Sequence, residues 1–289
     1  MEERIMKKIY SFTLIITAAL SSLTSCKEDS LILEDEPIFE GPTSFVAYLE
    51  NDATTRTTID GLKISWENGD QINVNGSIYV ADVDAVNPSK ALFSLAEGQS
   101  APTDGTLRAY YPASSFVSTT YTQRYKLQDT QVYNGNDVST IDYMYAQTPN
   151  SAGDLSFTFK HVTGILALDL VGEEKVTSIQ ITAPTSNYLC GTISNFAYST
   201  AGKISYSAFV TTGRATTVTL DCGEGVELDS TTPERFYISL PQKEYASLTI
   251  KINTASGESM TINSTKACNV TKGTLFTLPQ ITVTCDSGS

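Results

Sequence analysis

One histidine, His161, and one tryptophan, Trp66, serve the whole chain. The five cysteines include no CxxC pair, and with a single imidazole beside them a zinc site is not expected. A Ser-His-Asp arrangement would need His161 beside an activated serine, yet no GxSxG segment is present. His161 therefore reads as a structural, hydrogen-bonded histidine at a strand end. GxxxxGK, GxGxxG and HExxH are missing as well, so phosphate cradles and zinc proteolysis have no support. Basic side chains are few: 19 Lys and Arg face 32 Asp and Glu, for a formal charge of −13. Such a surface repels phosphate backbones and anionic lipid headgroups, so nucleic acid is not an expected partner. Acidic residues are so numerous that a glycosidase-like carboxylate pair discriminates nothing. Asp82 with Asp84, or Asn136 with Asp137, could donate to calcium, but neither belongs to an EF-hand-like ligand series. No catalytic residue, metal or cofactor is expected, and the chain does not read as an enzyme.

What is present begins with export. Arg4, Lys7 and Lys8 precede an apolar run from Ile9 to Leu20, and small residues follow up to Cys26, which is the layout of a secretory signal. The stretch Leu23-Thr24-Ser25-Cys26 resembles a bacterial lipobox, in which the signal is cut before the cysteine and that cysteine is acylated. Residues 1–25 are thus expected to be a signal peptide, and Cys26 the lipidation site. Residues 26–42 then form a short acidic tether with Glu28, Asp29, Glu34, Asp35, Glu36 and Glu40. No later apolar run is long enough to span a bilayer, so acyl chains on Cys26 are the only membrane attachment expected.

Beyond the tether, short strand-type segments recur between Gly, Pro, Asn, Asp and Ser, with neither a convincing helical period nor a solenoid repeat. Leu155, Phe157 and Phe159 alternate, as do Phe236, Ile238 and Leu240, and Leu248, Ile250 and Ile252. Residues two apart share a strand face, so each triplet predicts one layer of a core. The phase changes at Pro279-Gln280, between Phe276 with Leu278 and Ile281 with Val283 and Cys285. Asn134-Gly135-Asn136-Asp137, Ser256-Gly257 and Gly69-Asp70 fit turns. The pattern predicts two β-sandwich domains, 43–153 and 154–289. Cys190, Cys222, Cys268 and Cys285 could form two disulfides in an exported protein or remain buried free thiols. Tyr110, Tyr111, Tyr121 and Tyr125 head a tyrosine-rich stretch that also holds Tyr133, Tyr143 and Tyr145. These rings could stack on a sugar or bury at an interface, or serve simply as strand residues. Trp66 reads as core packing.

Arg56-Thr57-Thr58-Ile59-Asp60, followed by Ile64-Ser65-Trp66-Glu67-Asn68-Gly69-Asp70-Gln71-Ile72-Asn73-Val74, resembles the N-terminal signature of fimbrillin-like lipoproteins from Gram-negative gut and oral anaerobes. Ala109-Tyr110-Tyr111-Pro112, Asp142-Tyr143-Met144-Tyr145-Ala146 and the segment Leu155 to His161 point the same way. The resemblance implies two tandem transthyretin-like β-sandwich domains and a role as a fimbrial (pilus) subunit, tip adhesin or anchor. It implies a surface-exposed lipoprotein of the outer membrane, to which the acidic Lys27-Glu28-Asp29 after Cys26 also fits. It implies cleavage after an arginine near the mature N-terminus, here between Arg56 and Thr57. Removal of the strand expected at 44–49 would open a groove for a strand donated by another subunit. Expected partners are other fimbrial subunits and a surface receptor or glycan; the alternative is a monomeric surface glycan-binding lipoprotein. Asp29-Ser30-Leu31 and Asp229-Ser230-Thr231 resemble a short O-glycosylation motif of the same bacteria.

Overall fold

The computed structural model describes residues 41–50, 65–103, 105–119, 122–149, 155–193, 196–198, 204–206, 209–264 and 266–285. Cys26, Arg56, Thr57, Tyr121 and the expected signal and tether to residue 40 lie outside them. The regular elements among the described residues are strands, apart from one 3₁₀ turn at Ala113–Ser115, and no α-helix is found among them.

Seven strands close into a ring: β1 (Ser44–Leu49), β2 (Gln71–Val74), β3 (Ser77–Val83), β4 (Lys90–Leu95), β5 (Thr106–Tyr111), β9 (Met144–Pro149) and β10 (Ser156–His161), in the order β1-β10-β9-β5-β2-β3-β4. Alternation explains the interior. Phe45, Ala47 and Leu49 of β1, Ala91 and Phe93 of β4, and Phe157 and Phe159 of β10 point into one core, with Trp66 among them. Asn75-Gly76, both at positive φ (50° and 106°), makes the two-residue turn that joins β2 to β3. β1 bonds to β10 on one side and β4 on the other, so this body is a closed barrel where two open facing sheets were expected.

The second body is a sandwich. One sheet contains β17 (Glu234–Pro241), β11 (Thr163–Gly172), β22 (Leu275–Thr277) and β23 (Ile281–Val283). The other runs β20-β19-β12-β16-β8, with β12 (Lys175–Thr182), β16 (Thr217–Glu227), β19 (Thr249–Thr254), β20 (Ser259–Asn263) and β8 (Thr130–Val132). Phe236, Ile238 and Leu240 meet Leu248, Ile250 and Ile252 in the core between them, so both alternating triplets fall where their period placed them. The break at Pro279-Gln280 separates β22 from β23, which both pair parallel to β11.

The barrel reaches to His161, past the division expected at residue 153, and chain from before that point enters the sandwich. β8 is an edge strand of the second sheet, parallel to β16. Buried Gln131 fixes it there: its Nε2 donates to the Ser239 carbonyl at 2.9 Å and its Oε1 accepts from the Ser239 amide at 2.8 Å. The hairpin of β6 (Phe116–Thr119) and β7 (Thr122–Leu127) lies beside β13 (Gly191–Thr192). Smaller pairs complete the body: β14 (Phe196–Tyr198) with β15 (Ile204–Tyr206), and β18 (Lys243–Tyr245) with β21 (Cys268–Val270).

Candidate functional site

β1 is the one barrel strand followed directly by the 51–64 segment that carries Arg56. It pairs in parallel with β10 from Val46↔Ser156 to Leu49↔Phe159 and antiparallel with β4 from Ser44↔Ser94 to Tyr48↔Lys90. Phe45 meets Tyr79 and Phe157 with ring centroids 4.7 Å apart in each case. Burying Phe45 and Leu49 contributes roughly 1.5–3 kcal/mol apiece. Both ends of the strand are latched. At the entry, the Tyr79 hydroxyl donates to the Pro42 carbonyl at 2.5 Å, and a Cβ on Gly41 would lie 2.0 Å from the Pro102 carbonyl oxygen, so only glycine fits. At the exit, the Glu50 amide donates to the Phe159 carbonyl at 3.0 Å and the Glu50 carboxylate pairs with Lys160.

A cavity of about 230 Å³ opens at that exit, with Leu49 and Ser65, from either side of the segment containing Arg56, in its lining. Trp66 also lines it. Its indole packs edge-on against Phe93, Tyr111 and Phe159 at 5.1, 5.2 and 5.3 Å, while its Nε1 is buried without a partner among the described residues. Without β1, this aromatic floor and the facing edges of β4 and β10 would form one open, apolar groove. The arrangement is suited to holding an extended chain by main-chain hydrogen bonds on both sides and side chains in the core.

The sequence matches the fimbrillin-like family over residues 55–284. The chain belongs to that family. The matched span begins next to Arg56 and leaves β1 outside it. No curated protein matches the sequence. Among solved structures, a candidate cell adhesion protein from Bacteroides ovatus aligns with TM-score 0.49 at 13% identity, over 84% of this chain and 92% of that one. A second, from Bacteroides uniformis, gives TM-score 0.44 at 19% identity, over 85% and 93%. A fimbrial protein from Bacteroides ovatus gives TM-score 0.33 at 13% identity, over 83% of this chain and 50% of that one.

In this fimbrillin-like chain three of the four tyrosines expected as ligand contacts are interior, and the fourth, Tyr121, lies outside the described residues. Tyr110, Tyr111 and Tyr125 are buried, so they do not offer the surface platform their spacing suggested. The reason is that β5 and β9 are covered on both faces: Tyr111 and Met144 point into the barrel, whereas Tyr110 and Tyr145 point out into a second cluster with Tyr125, Tyr143, Ile193 and Ile204. Burial pushes the phenols of Tyr110, Tyr111 and Tyr125 well above their ordinary range, so they remain neutral donors.

Cys190, Cys222 and Cys268 are buried and Cys285 half-buried, all four as free thiols, and no disulfide joins them. Cys190 donates instead to the Thr217 carbonyl at 3.3 Å. Burial raises the Cys190 and Cys268 thiols to about 11 and that of Cys222 to about 12, which leaves them unreactive. His161, at the end of β10, pairs its Nδ1 with Asp142 Oδ1 at 2.8 Å. Two of the candidate calcium carboxylates accept from turns: Asp84 the Val86 and Asn87 amides, and Asp137 the Ser139 amide and the Asn134 side chain.

Proposed function

We propose that the protein is a cell-surface fimbrial subunit or tip adhesin, exported as a lipoprotein acylated on Cys26 and assembled by strand donation after cleavage between Arg56 and Thr57. The observation that carries this reading is β1: a strand bonded on both sides, filling the barrel core, and continuous with the segment that holds Arg56. Cleavage alone would leave β1 in place, because its hydrogen bonds and the burial of Phe45 and Leu49 persist. Release requires replacement. A strand from another subunit supplies equivalent backbone bonds, and the slow unfolding of a closed barrel makes the product durable. The barrel and the sandwich are, in this reading, the tandem transthyretin-like units of the family, with β8 and the hairpin of β6 and β7 crossing from the first half of the chain into the second. Adhesion and assembly, rather than catalysis, are the work of these surfaces.

The test is digestion of the purified protein with a trypsin-like protease, followed by N-terminal sequencing and sizing without boiling. A new N-terminus at Thr57 together with a ladder of oligomers is expected, and Arg56→Ala should remove both. If the bond after Arg56 resists cleavage, or the cleaved chain never exchanges β1 for an added strand, the assembly reading fails. A monomeric glycan-binding lipoprotein then takes its place.

A further inference from the structure

A second cavity lies on the sandwich side of the molecule, far in sequence from β1, and no motif marks it. It measures about 340 Å³ and is lined by the rings of Tyr188, Tyr206 and Phe209 together with the cations Arg214 and Lys243. Small-molecule sites run from ~300 Å³ upward, so this one suits a ligand of one or two rings.

Its construction follows from local geometry. On β18, Lys243 and Tyr245 share a face and both line the cavity, while Glu244 between them does not. Tyr245 is fully buried and its hydroxyl donates to the Pro241 carbonyl at 2.9 Å, which fixes the floor. At the rim, Ser186 holds φ 75°, a region a serine rarely adopts, in the turn closed by the Asn187 amide on the Pro184 carbonyl at 3.0 Å. That turn sets Asn187 to accept from Lys243 and Tyr188 to carry Arg214.

The Arg214 guanidinium carbon sits 4.0 Å from the Tyr188 ring centroid. Stacking uses the flat face of the guanidinium and leaves its in-plane N–H donors for a ligand. Among the described residues no carboxylate pairs with Arg214, and none lines the cavity. In a chain of charge −13, this spot therefore has the opposite sign. Lys272, outside the lining, sits 5.1 Å from the centroid of Tyr206 and donates to the Ile204 carbonyl at 2.6 Å.

We propose that this cavity binds a carboxylated sugar of the uronic or sialic acid class, its carboxylate chelated by Arg214 and its ring packed on Tyr206 and Phe209. A free inorganic anion would make no use of three aromatic walls. A neutral sugar would leave the half-buried Arg214 without a counter-charge. The bidentate guanidinium fork matches a carboxylate, and sugar C–H faces match aromatic rings. The inference rests on the adhesive reading for the source of the sugar, a surface glycan, but not for the chemistry of the pocket.

The test is calorimetric titration of the full mature protein with N-acetylneuraminate, D-glucuronate, D-glucose and inorganic sulfate. At least one carboxylated sugar should saturate, with glucose at least tenfold weaker and sulfate a poor competitor. Arg214→Ala should weaken that binding at least tenfold and Arg214→Lys several-fold, since an ammonium cannot chelate. Phe209→Ala should weaken it about fivefold, and Lys251→Ala, an exposed cation on β19, should leave it unchanged. Glucose binding as well as the acids, sulfate displacing them fully, or no saturation by either acid would overturn the proposal. Should Arg214→Ala lose its cooperative melt, the selectivity among ligands on the unaltered protein still decides. Arg214→Ala should keep Arg56-dependent oligomerisation, so loss of sugar binding and loss of assembly report separately.

Discussion

The Tyr125 hydroxyl donates towards two main-chain carbonyls, Tyr111 at 2.6 Å and Met144 at 3.1 Å, from a side chain with no exposed surface. It thereby ties the hairpin of β6 and β7 to the outer face of the barrel. Tyr125→Phe keeps the ring contacts and strands those acceptors, so it should cost about 1–3 kcal/mol, read as a lower urea midpoint with an unchanged slope. His161 offers a pH-dependent counterpart. Burial by itself pulls its pKa down, but the charge and hydrogen bond of Asp142, with Glu50 nearby, outweigh that and leave it raised above 6.5. A raised pKa means the folded state binds the proton more tightly. The stabilisation is therefore fully present below pH 6.5 and fades as pH climbs through the folded value. Because this is the sole histidine, its imidazole resonance can be followed without assignment, and its midpoint should lie above 6.5 and fall in Asp142→Asn.

Within β1 the same spacing separates residues that matter to the fold from those that do not. Phe45 faces the core and Tyr48 faces solvent at 39% exposure. Phe45→Ala should cost roughly 3–5 kcal/mol through the cavity it leaves, whereas Tyr48→Ser should stay within ~0.5 kcal/mol. Denaturant midpoints measure both. If β1 is the exchangeable element, Phe45→Ala should also speed its replacement by an added peptide spanning residues 42–50 in the cleaved protein. Elsewhere the cross-strand pair Asp169 and Arg235 joins β11 to β17 through two hydrogen bonds of 2.6 and 2.8 Å. The Arg235 hydrogen bonds hold the Asp169 carboxyl below its usual range. That contribution is present above the unfolded value near 3.8 and disappears as pH falls through the folded one. The pair is partly exposed, so it is a modest one, under about 1 kcal/mol.

For the whole molecule, no helix among the described residues is long and apolar enough to cross a membrane, and the chain carries a charge of −13. Under the lipoprotein proposal anchoring depends on one thiol: Cys26→Ala should move the protein from the membrane fraction to the soluble periplasm and abolish labelling by fatty acid. Unchanged partitioning would defeat the lipoprotein proposal. The all-β class and the inward face of most strands were legible from residues two apart, because alternation is a property of the strand itself. Phe157 and Phe159, the alternating Phe236, Ile238 and Leu240, and the alternating Leu248, Ile250 and Ile252 fall in cores for that reason. The missing nucleophile and phosphate motifs were equally plain, since such chemistry needs particular residues at particular spacings. What alternation cannot say is whether the second face is also covered. Tyr110 and Tyr111 point to opposite sides of β5, and both are buried because distant chain, from Tyr125 to Ile204, packs outside the barrel. The capture of β8 by the second sheet and the meeting of Tyr188, Phe209, Arg214 and Lys243 around one cavity likewise join residues far apart in sequence. Local composition determined the strands; only long-range packing decided which of their faces remained open to a partner.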